Sequence, residues 1–488
     1  MDVVFTQVPR LSPEPLHGLA LMQTIVQQAG LSSSIYDWNI KLYEKYFNTP
    51  IWEKFETFGL QYNSYDRATV NLINQEAHFA AAEILEQDPK FVGISVFTIE
   101  SQKWAKFLAY NIRKLDSSVK IIVGGRGLVD PGESISTSAF LNELKTFNMV
   151  DHIAGGDAEH SILQILQGKP YHEDGEIDIN EIPLTDYTSF WRPEYEKFSM
   201  AQYNDHDDFV VSNTDKNTIN VKPTFTRGCV KNCTFCDISS IWPKFISKDG
   251  VDVANELIHY YQNFDIKTFI FPDAMINSSH KEFRKFLHQL SNFMEKNDVR
   301  DLKWGSQFGI KPKSQFQSSD FELIHQTNGE IIVGVDHVSN NVLEMMNKKY
   351  TVDDIDSFLY NASQHKLKNI NLMWIVGFIN EFEKDHELMV QKFNEYMKFK
   401  HIFKCFNLGA LLNIPTESPL RHDPKYNLSV GNNEADWICS DNPGLTMTER
   451  LKRRYELQLI CDKNNLPTWK KKSQWIRMKG NWDIAKWK

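Results

Sequence analysis

Cysteine is scarce in this chain of 488 residues, with six in all and none before position 229. With so few, and three of them crowded together, a disulfide framework is not their expected use, and a reducing cytoplasm is the expected setting. No apolar run of roughly eighteen or more residues appears, so no membrane span is expected. The start, Met1-Asp-Val-Val-Phe5, carries an acid at position 2 and reads straight into a strand, which is not the pattern of a signal peptide. Positive charge is in deficit: the formal net charge is -9. That balance argues against broad nonspecific nucleic-acid binding and leaves room for a local basic patch. What is present, 41% hydrophobic and 24% charged residues, is the composition of a folded chain. Its length predicts roughly two to four domains.

The crowded cysteines lie in Cys229-Val-Lys-Asn-Cys233-Thr-Phe-Cys236, preceded by Thr224-Phe-Thr-Arg-Gly228. A Cys-x-x-x-Cys-x-x-Cys loop can bring three thiolates to one metal centre, and a cluster held that way keeps one iron open to a substrate or cofactor. Such an opening suits catalysis. Structural zinc would want a second cysteine pair or histidines, and the nearest downstream histidine, His259, falls inside an expected helix. Phe235 reads as an apolar cover that limits solvent at the centre. These residues resemble the signature of the radical SAM enzymes. The resemblance implies that Cys229, Cys233 and Cys236 hold a 4Fe-4S cluster and that S-adenosylmethionine (SAM) chelates the open iron. It also implies that one electron, from an external donor such as flavodoxin or ferredoxin, cleaves SAM to methionine and a 5′-deoxyadenosyl radical.

Upstream, residues 1–190 read as alternating strands and helices. Strands are expected at 2–6, 34–37, 91–97, 119–123 and 150–154, a helix over 16–29 ends at Gly30, and a helical, aromatic insertion occupies about 40–90. This is the pattern of a doubly wound, Rossmann-like α/β domain, which binds ligands at the carboxyl ends of its strands. Asp37 closing the second strand, Gly124-Gly125, Gly155-Gly156-Asp-Ala-Glu159 and Ile182-Pro-Leu-Thr-Asp-Tyr187 together resemble the cobalamin-binding radical SAM proteins. That resemblance covers most of residues 1–190 and implies cobalamin held near Thr98, Gly124, Gly125, Gly156 and Glu159. The chain departs from many cobalamin-binding folds in having no Asp-x-His-x-x-Gly run, and Asp151-His152 has the wrong spacing for one. The family's Gly-Glu-Gly-Glu run keeps only its last residue here, as Glu159.

Residues 191–220 read as a polar linker. From 221 to 420, strands at 223–226, 267–271, 302–306, 330–335, 370–376 and about 404–412 alternate with helices, which suits a partial (β/α)6 barrel with its active face at the strand carboxyl ends. The resemblance gives Asp273 the methionyl ammonium of SAM, Gln307 its ribose or methionyl carboxylate, Asp336 the place of a glutamate in Gly-x-Glu-Ser, and Gly377 a position near adenine. Residues 421–488 are expected to be a small, mainly helical region, with a helix over about 446–464. It ends in a basic, aromatic tail from Trp469 that could bind nucleic acid or an acidic partner. Methylthiotransferases of the wider family carry a second cysteine trio before the motif. Here none precedes Cys229, and the scattered Cys405, Cys439 and Cys461 read as buried or surface thiols. The expected protein is a cobalamin-dependent radical SAM methyltransferase acting on an unactivated carbon of a small molecule or peptide. The rivals are a radical SAM enzyme that does not methylate and a non-catalytic cluster- or cobalamin-binding sensor.

Overall fold

The computed structural model describes residues 1–9, 17–47, 49–60, 67–98, 100–130, 133–173, 177–190, 221–313, 315, 318–408, 412–415, 417–431 and 435–468. The expected linker at 191–220, most of the loop that carries Pro13 and Pro15, and the basic tail from Trp469 lie outside the described residues. The chain divides into two compact units, Met1–Gln202 and Tyr203–Lys488. No helix among the described residues is long and apolar enough to cross a membrane.

The first unit runs β1 (Val3–Gln7), α1 (His17–Gln28), β2 (Ser33–Asp37), α2 (Trp38–Tyr46), α3 (Pro50–Leu60), α4 (Arg67–Leu85), β3 (Phe91–Ser95), α5 (Ser101–Leu115), β4 (Lys120–Gly124), α6 (Ala139–Thr146), β5 (His152–Ala154) and α7 (Ala158–Leu166). Its five strands make one parallel sheet in the order β2-β1-β3-β4-β5. Val3, Val4, Val92, Ile121 and Val123 are fully buried, which is why these strands read as continuous apolar runs instead of alternating ones. The strand order reverses between β1 and β3, and an open α/β sheet offers its ligand crevice at the carboxyl side of such a switch.

The insertion is three helices, α2 to α4, and its aromatic character has a packing cause. Trp104 of α5 meets Trp38 of α2 and Phe55 and Phe58 of α3 edge-on, with ring centres 5.3–5.5 Å apart, and all four rings are buried. Edge-to-face contacts of this kind add to the area they bury. Asp37 starts the insertion. Its carboxylate accepts the Ile40 N–H at 3.0 Å, capping α2, and holds Gln7 Nε2 at 2.8 and 2.9 Å.

The second unit runs β6 (Thr226–Arg227), α8 (Ile238–Ile241), β7 (Ile246–Ser247), α9 (Gly250–Phe264), β8 (Thr268–Ile270), α10 (His280–Lys296), β9 (Lys303–Phe308), α11 (Ser318–Gln326), β10 (Gly329–Asp336), α12 (Asn340–Met345), α13 (Val352–Gln364), β11 (Ile370–Trp374), α14 (Glu383–Tyr396) and β12 (Phe403–Asn407). Strands β12-β11-β10-β9-β8 lie side by side, all parallel. Val221 adds a sixth position through a parallel bridge to Phe269. The barrel strand expected at 223–226 is therefore displaced. Pro223 has no N–H to continue a ladder, and Thr226–Arg227 turns away to pair antiparallel with Ile246–Ser247. The far edge, β12, is met at Phe406 by Thr468, and the Phe406 N–H donates to the Pro467 carbonyl at 3.0 Å.

Beyond the barrel come α15 (Pro419–His422), a hairpin of β13 (Leu428–Val430) and β14 (Trp437–Cys439), and α16 (Met447–Lys463). The hairpin departs from the mainly helical expectation. It is anchored by Trp437, buried with its indole N–H donating to the Leu412 carbonyl at 2.9 Å.

Candidate active site

The three cysteines sit on the short segment between β6 and α8, at the carboxyl side of the barrel sheet. Backbone bonds hold this loop to the elements beside it. Thr234 N–H donates to the Met346 carbonyl at 3.1 Å, Thr234 Oγ1 donates to Met345 O at 3.0 Å, and the Leu420 N–H donates to Thr234 O at 2.7 Å. Within the loop, Cys236 N–H donates to Cys233 O at 3.2 Å. All three thiols are free and half-buried. Burial pushes the Cys233 thiol up, and the Cys236 thiol up to about 11, so a metal must displace a proton from each.

Phe235, expected as an apolar cover, has a packing role. Its ring packs edge-on to Phe378, centres 6.2 Å apart, and rests against a core that includes Val342, Met346 and Ile414. It thereby anchors the loop to the barrel.

Asp273 follows β8, and its carboxylate is turned to the chain itself, accepting the N–H of Thr226 three residues before Cys229. It is a buried acid, and burial pushes its pKa from 3.8 up to about 6 despite the bonds from Thr226. A carboxyl raised in the folded state contributes stability that is fully present below its unfolded value and lost as pH rises through the folded one. Asp273→Asn keeps an oxygen for Thr226 and removes the ionisation. Thermal melts at pH 4 and pH 7.5 should show the variant gaining on the wild type with rising pH, on the order of 2 kcal/mol.

Gln307 lies within β9 instead of after it, with its side chain exposed. Asp336 closes β10 in a left-handed conformation, φ 60°, and its carboxylate forms an ion pair with Lys348; both side chains are largely buried. Burial works against the Lys348 charge, and Asp336 outweighs it, so the ammonium is held well above its usual value.

Gly377 has φ 74°, and a Cβ there would stand 2.4 Å from Cγ of Arg450 on α16. Close packing by Arg450 thus requires glycine at this position. Arg450 is itself fully buried, its guanidinium 3.8 Å from the centre of the Trp437 ring. Gly377→Ala should lower stability by about 1–3 kcal/mol. In a double-mutant cycle with Arg450→Ala the double variant should lose less than the sum of the two single losses, and urea unfolding reads all three.

In the first unit Thr98 follows β3, Gly124 ends β4 with Gly125 next, and Gly156 and Glu159 follow β5, so all five share the carboxyl edge of one sheet. Thr98 Oγ1 lies 3.0 Å from Ser101 Oγ, at the start of α5. Gly125 has a fold reason for being glycine, since a Cβ would stand 2.5 Å from the Val96 carbonyl oxygen. His152 opens β5 and so lies at the opposite, amino edge, with Nδ1 3.4 Å from the Tyr171 hydroxyl. Two residues that the sequence did not single out lie at the switch point itself. Thr6 Oγ1 and Gln7 Oε1, at the carboxyl end of β1, are buried without a hydrogen-bond partner. Buried polar atoms in that state call for a partner such as a ligand or water.

Among the described residues no three His, Cys, Asp or Glu side chains are drawn up as a ready-made metal cage, the loop cysteines included. The donor chemistry nonetheless fits a 4Fe-4S cluster with one open iron. The loop offers three thiols, and the other three cysteines are buried on separate elements, Cys405 on β12, Cys439 on β14 and Cys461 on α16. Cys405 and Cys439 donate to amide oxygens of Asn371 and Asn380, at 3.1 and 3.2 Å.

Residues 224–393 match the family model of the radical SAM superfamily. A ribosomal protein uS12 methylthiotransferase of Hydrogenobaculum sp. is 27% identical over 169 residues, which are 33% of this chain and 40% of that one. The match therefore spans well under half of that relative's length. Among solved structures, the radical SAM methyltransferase TsrM from Kitasatospora setae, with cobalamin and a 4Fe-4S cluster bound, aligns with a TM-score of 0.56 and 14% identity, over 86% of this chain and 77% of its own. The cobalamin-dependent radical enzyme OxsB aligns with a TM-score of 0.56 and 12% identity, over 96% and 62%. At such identities the likeness is one of fold. Residues 224–393 thus match the radical SAM superfamily, and the chain has the fold seen in solved cobalamin-dependent radical SAM enzymes.

Proposed function

We propose that this protein is a cobalamin-dependent radical SAM methyltransferase that adds a methyl group to an unactivated carbon of a small molecule or peptide. The observation that carries the reading is the pairing, in one chain, of a three-cysteine loop with a cysteine-free Rossmann-like unit. The loop sits at the carboxyl side of a partial barrel, and the Rossmann-like unit has unpartnered polar atoms buried at its switch point. Bound at these places, the cluster with SAM supplies radical chemistry and cobalamin supplies the methyl group.

The chain's own share is holding and excluding. Cys229, Cys233 and Cys236 are the cluster ligands, and Phe235 keeps water from them. Gln307, exposed on β9, is free to orient SAM, while Gly377 with Phe378 forms the wall after β11. Thr6 and Gln7, with the loops bearing Thr98, Gly125, Gly156 and Glu159, are the cobalamin contacts. The reaction also needs an external one-electron donor such as flavodoxin or ferredoxin.

A methylthiotransferase reading is favoured by the uS12-modifying relative. The absence of any cysteine before Cys229 argues against it, since methylthiotransferases of the wider family carry a second cysteine trio before the motif.

The test is anaerobic reconstitution with iron, sulfide and hydroxocobalamin, removal of free ligand, and a count of both per chain. About one cobalamin and about four irons support the reading. Full iron without retained cobalamin refutes methyl transfer from cobalamin and leaves a radical SAM enzyme that oxidises, cyclises or rearranges its substrate. A full, reducible cluster that does not cleave SAM favours the non-catalytic sensor.

A further inference from the structure

Three lysines crowd the cysteine loop. Lys231 lies within it, donating to the Ile310 carbonyl at 2.9 Å with its ammonium 4.6 Å from the centre of the Tyr350 ring. Lys311, next along from Ile310, donates to the Ser278 carbonyl at 3.2 Å. Lys348, paired with Asp336, stands 5.0 Å from the centre of the Phe235 ring. Carbonyls and ring faces tie these charges in place, so they form a fixed field.

The sign of that field follows from its members. Lys231 stands two residues from both Cys229 and Cys233, Lys348 reaches over the Phe235 ring next to Cys236, and Lys311 follows the residue whose carbonyl holds Lys231. Asp336 offsets Lys348 and Asp237 stands beside Cys236, so the positive excess of Lys231 and Lys311 lies on the side of Cys229 and Cys233. Gathering like charges in a half-buried place is unfavourable by itself. Such a grouping becomes favourable once an anion joins it.

The group that the loop is built to hold is anionic. Three thiolates outweigh the positive charge of the iron-sulfur core, and reduction adds one more electron. Net charge around a cluster is one of the levers that set its potential. We propose that Lys231 and Lys311, backed by the Lys348–Asp336 pair, form a cationic collar that raises the reduction potential of the cluster and so eases entry of the electron that SAM cleavage requires. The collar acts on the cluster through space, which makes these lysines tuning residues and not catalytic ones. The inference rests on the reading of Cys229, Cys233 and Cys236 as cluster ligands.

The test is a potentiometric titration of the reconstituted full-length protein, monitored by EPR of the reduced cluster, with iron counted in the same samples. Methionine is close to lysine in reach and neutral. Lys231→Met and Lys311→Met should each move the midpoint to more negative potential at full iron content, and the double variant should move it further than either. Lys231→Arg should keep the wild-type midpoint, as should Lys281→Met, which removes a charge that is 80% exposed on α10. Lys311 lies outside the loop, so Lys311→Met decides the matter should Lys231→Met shed iron. Unchanged midpoints in Lys311→Met and the double variant overturn the collar while leaving the cluster reading intact. A wild-type chain that takes up no iron overturns both.

Discussion

Replacing any one of Cys229, Cys233 and Cys236 by alanine should take iron from about four per chain to near none, and 5′-deoxyadenosine formation from SAM to background. The expectation is this severe because the loop has no spare donor. Cys405, Cys439 and Cys461 are buried on β12, β14 and α16, two of them already bonded to asparagine amide oxygens. Two thiolates cannot hold a cluster that needs three and an open iron. The matching controls are Cys405→Ala, Cys439→Ala and Cys461→Ala. Each should keep full iron and full SAM cleavage, with a stability loss of about 1 kcal/mol, ordinary for a small buried truncation. Iron counts and product chromatography on the six variants separate the two sets. A control that lost iron, or wild-type protein holding well above about four irons, would point to an auxiliary cluster on these three cysteines, which their burial on separate elements argues against.

How much of this could be read from the sequence depended on how local the cause was. The cysteine loop was legible because its ligands lie within eight residues, and β10 because a strand buried on both faces leaves an unbroken apolar run. The first barrel strand was misplaced since the pairing partner of Val221 is Phe269, nearly fifty residues on, and nothing local marks it. Asp273 was legible as an acid at a strand end, but its carboxylate serves the Thr226 N–H, a contact across 47 positions. Lys231 stood inside the motif in plain view. Its significance needed Lys311 and Lys348, which only the fold brings near. Gly377 stands out in the sequence, while its cause, the flank of Arg450 on α16, lies 73 residues downstream. The unpaired oxygens of Thr6 and Gln7 were beyond reach too, because burial without a partner is a property of the packed sheet.

In the sequence Glu381 is one acid among many, and in the fold after β11 its loss should have a large effect. Its carboxylate accepts the N–H groups of Gly377 and Phe378 at 2.7 and 3.0 Å and receives Arg453 Nη1 from α16 at 2.9 Å. His337 Nε2 faces it at 3.3 Å. The other ring nitrogen, Nδ1, accepts the Ser339 N–H at 3.0 Å, so in the neutral ring the proton sits on Nε2, toward Glu381. Glu381 and His337 are fully buried. Burial alone would raise the acid, but His337 and Arg453 prevail and hold it at about 2, against 4.5 for an ordinary glutamate. A carboxyl lowered in the folded state stabilises above its unfolded value, and that contribution drains away as pH falls from about 4.5 toward 2. Glu381→Ala leaves two buried backbone donors unpaired and takes one carboxylate from Arg453, which keeps Glu383 and Glu449 at 2.9 and 3.4 Å, and should cost about 2–4 kcal/mol at pH 7. Glu381→Gln keeps an acceptor and should cost less, with a deficit that shrinks as the acid range is entered. The damage should reach the cysteine loop, because the Gly377–Phe378 turn that Glu381 fixes presents the ring against which Phe235 packs. Urea unfolding of both variants at pH 7 and pH 4, with iron counted after reconstitution, tests the chain of contacts. Wild-type stability in Glu381→Ala would remove Glu381 from the support of the fold. Lost stability with full, normally reducible iron would cut the link from Phe378 to Phe235 and leave Glu381 a purely structural residue.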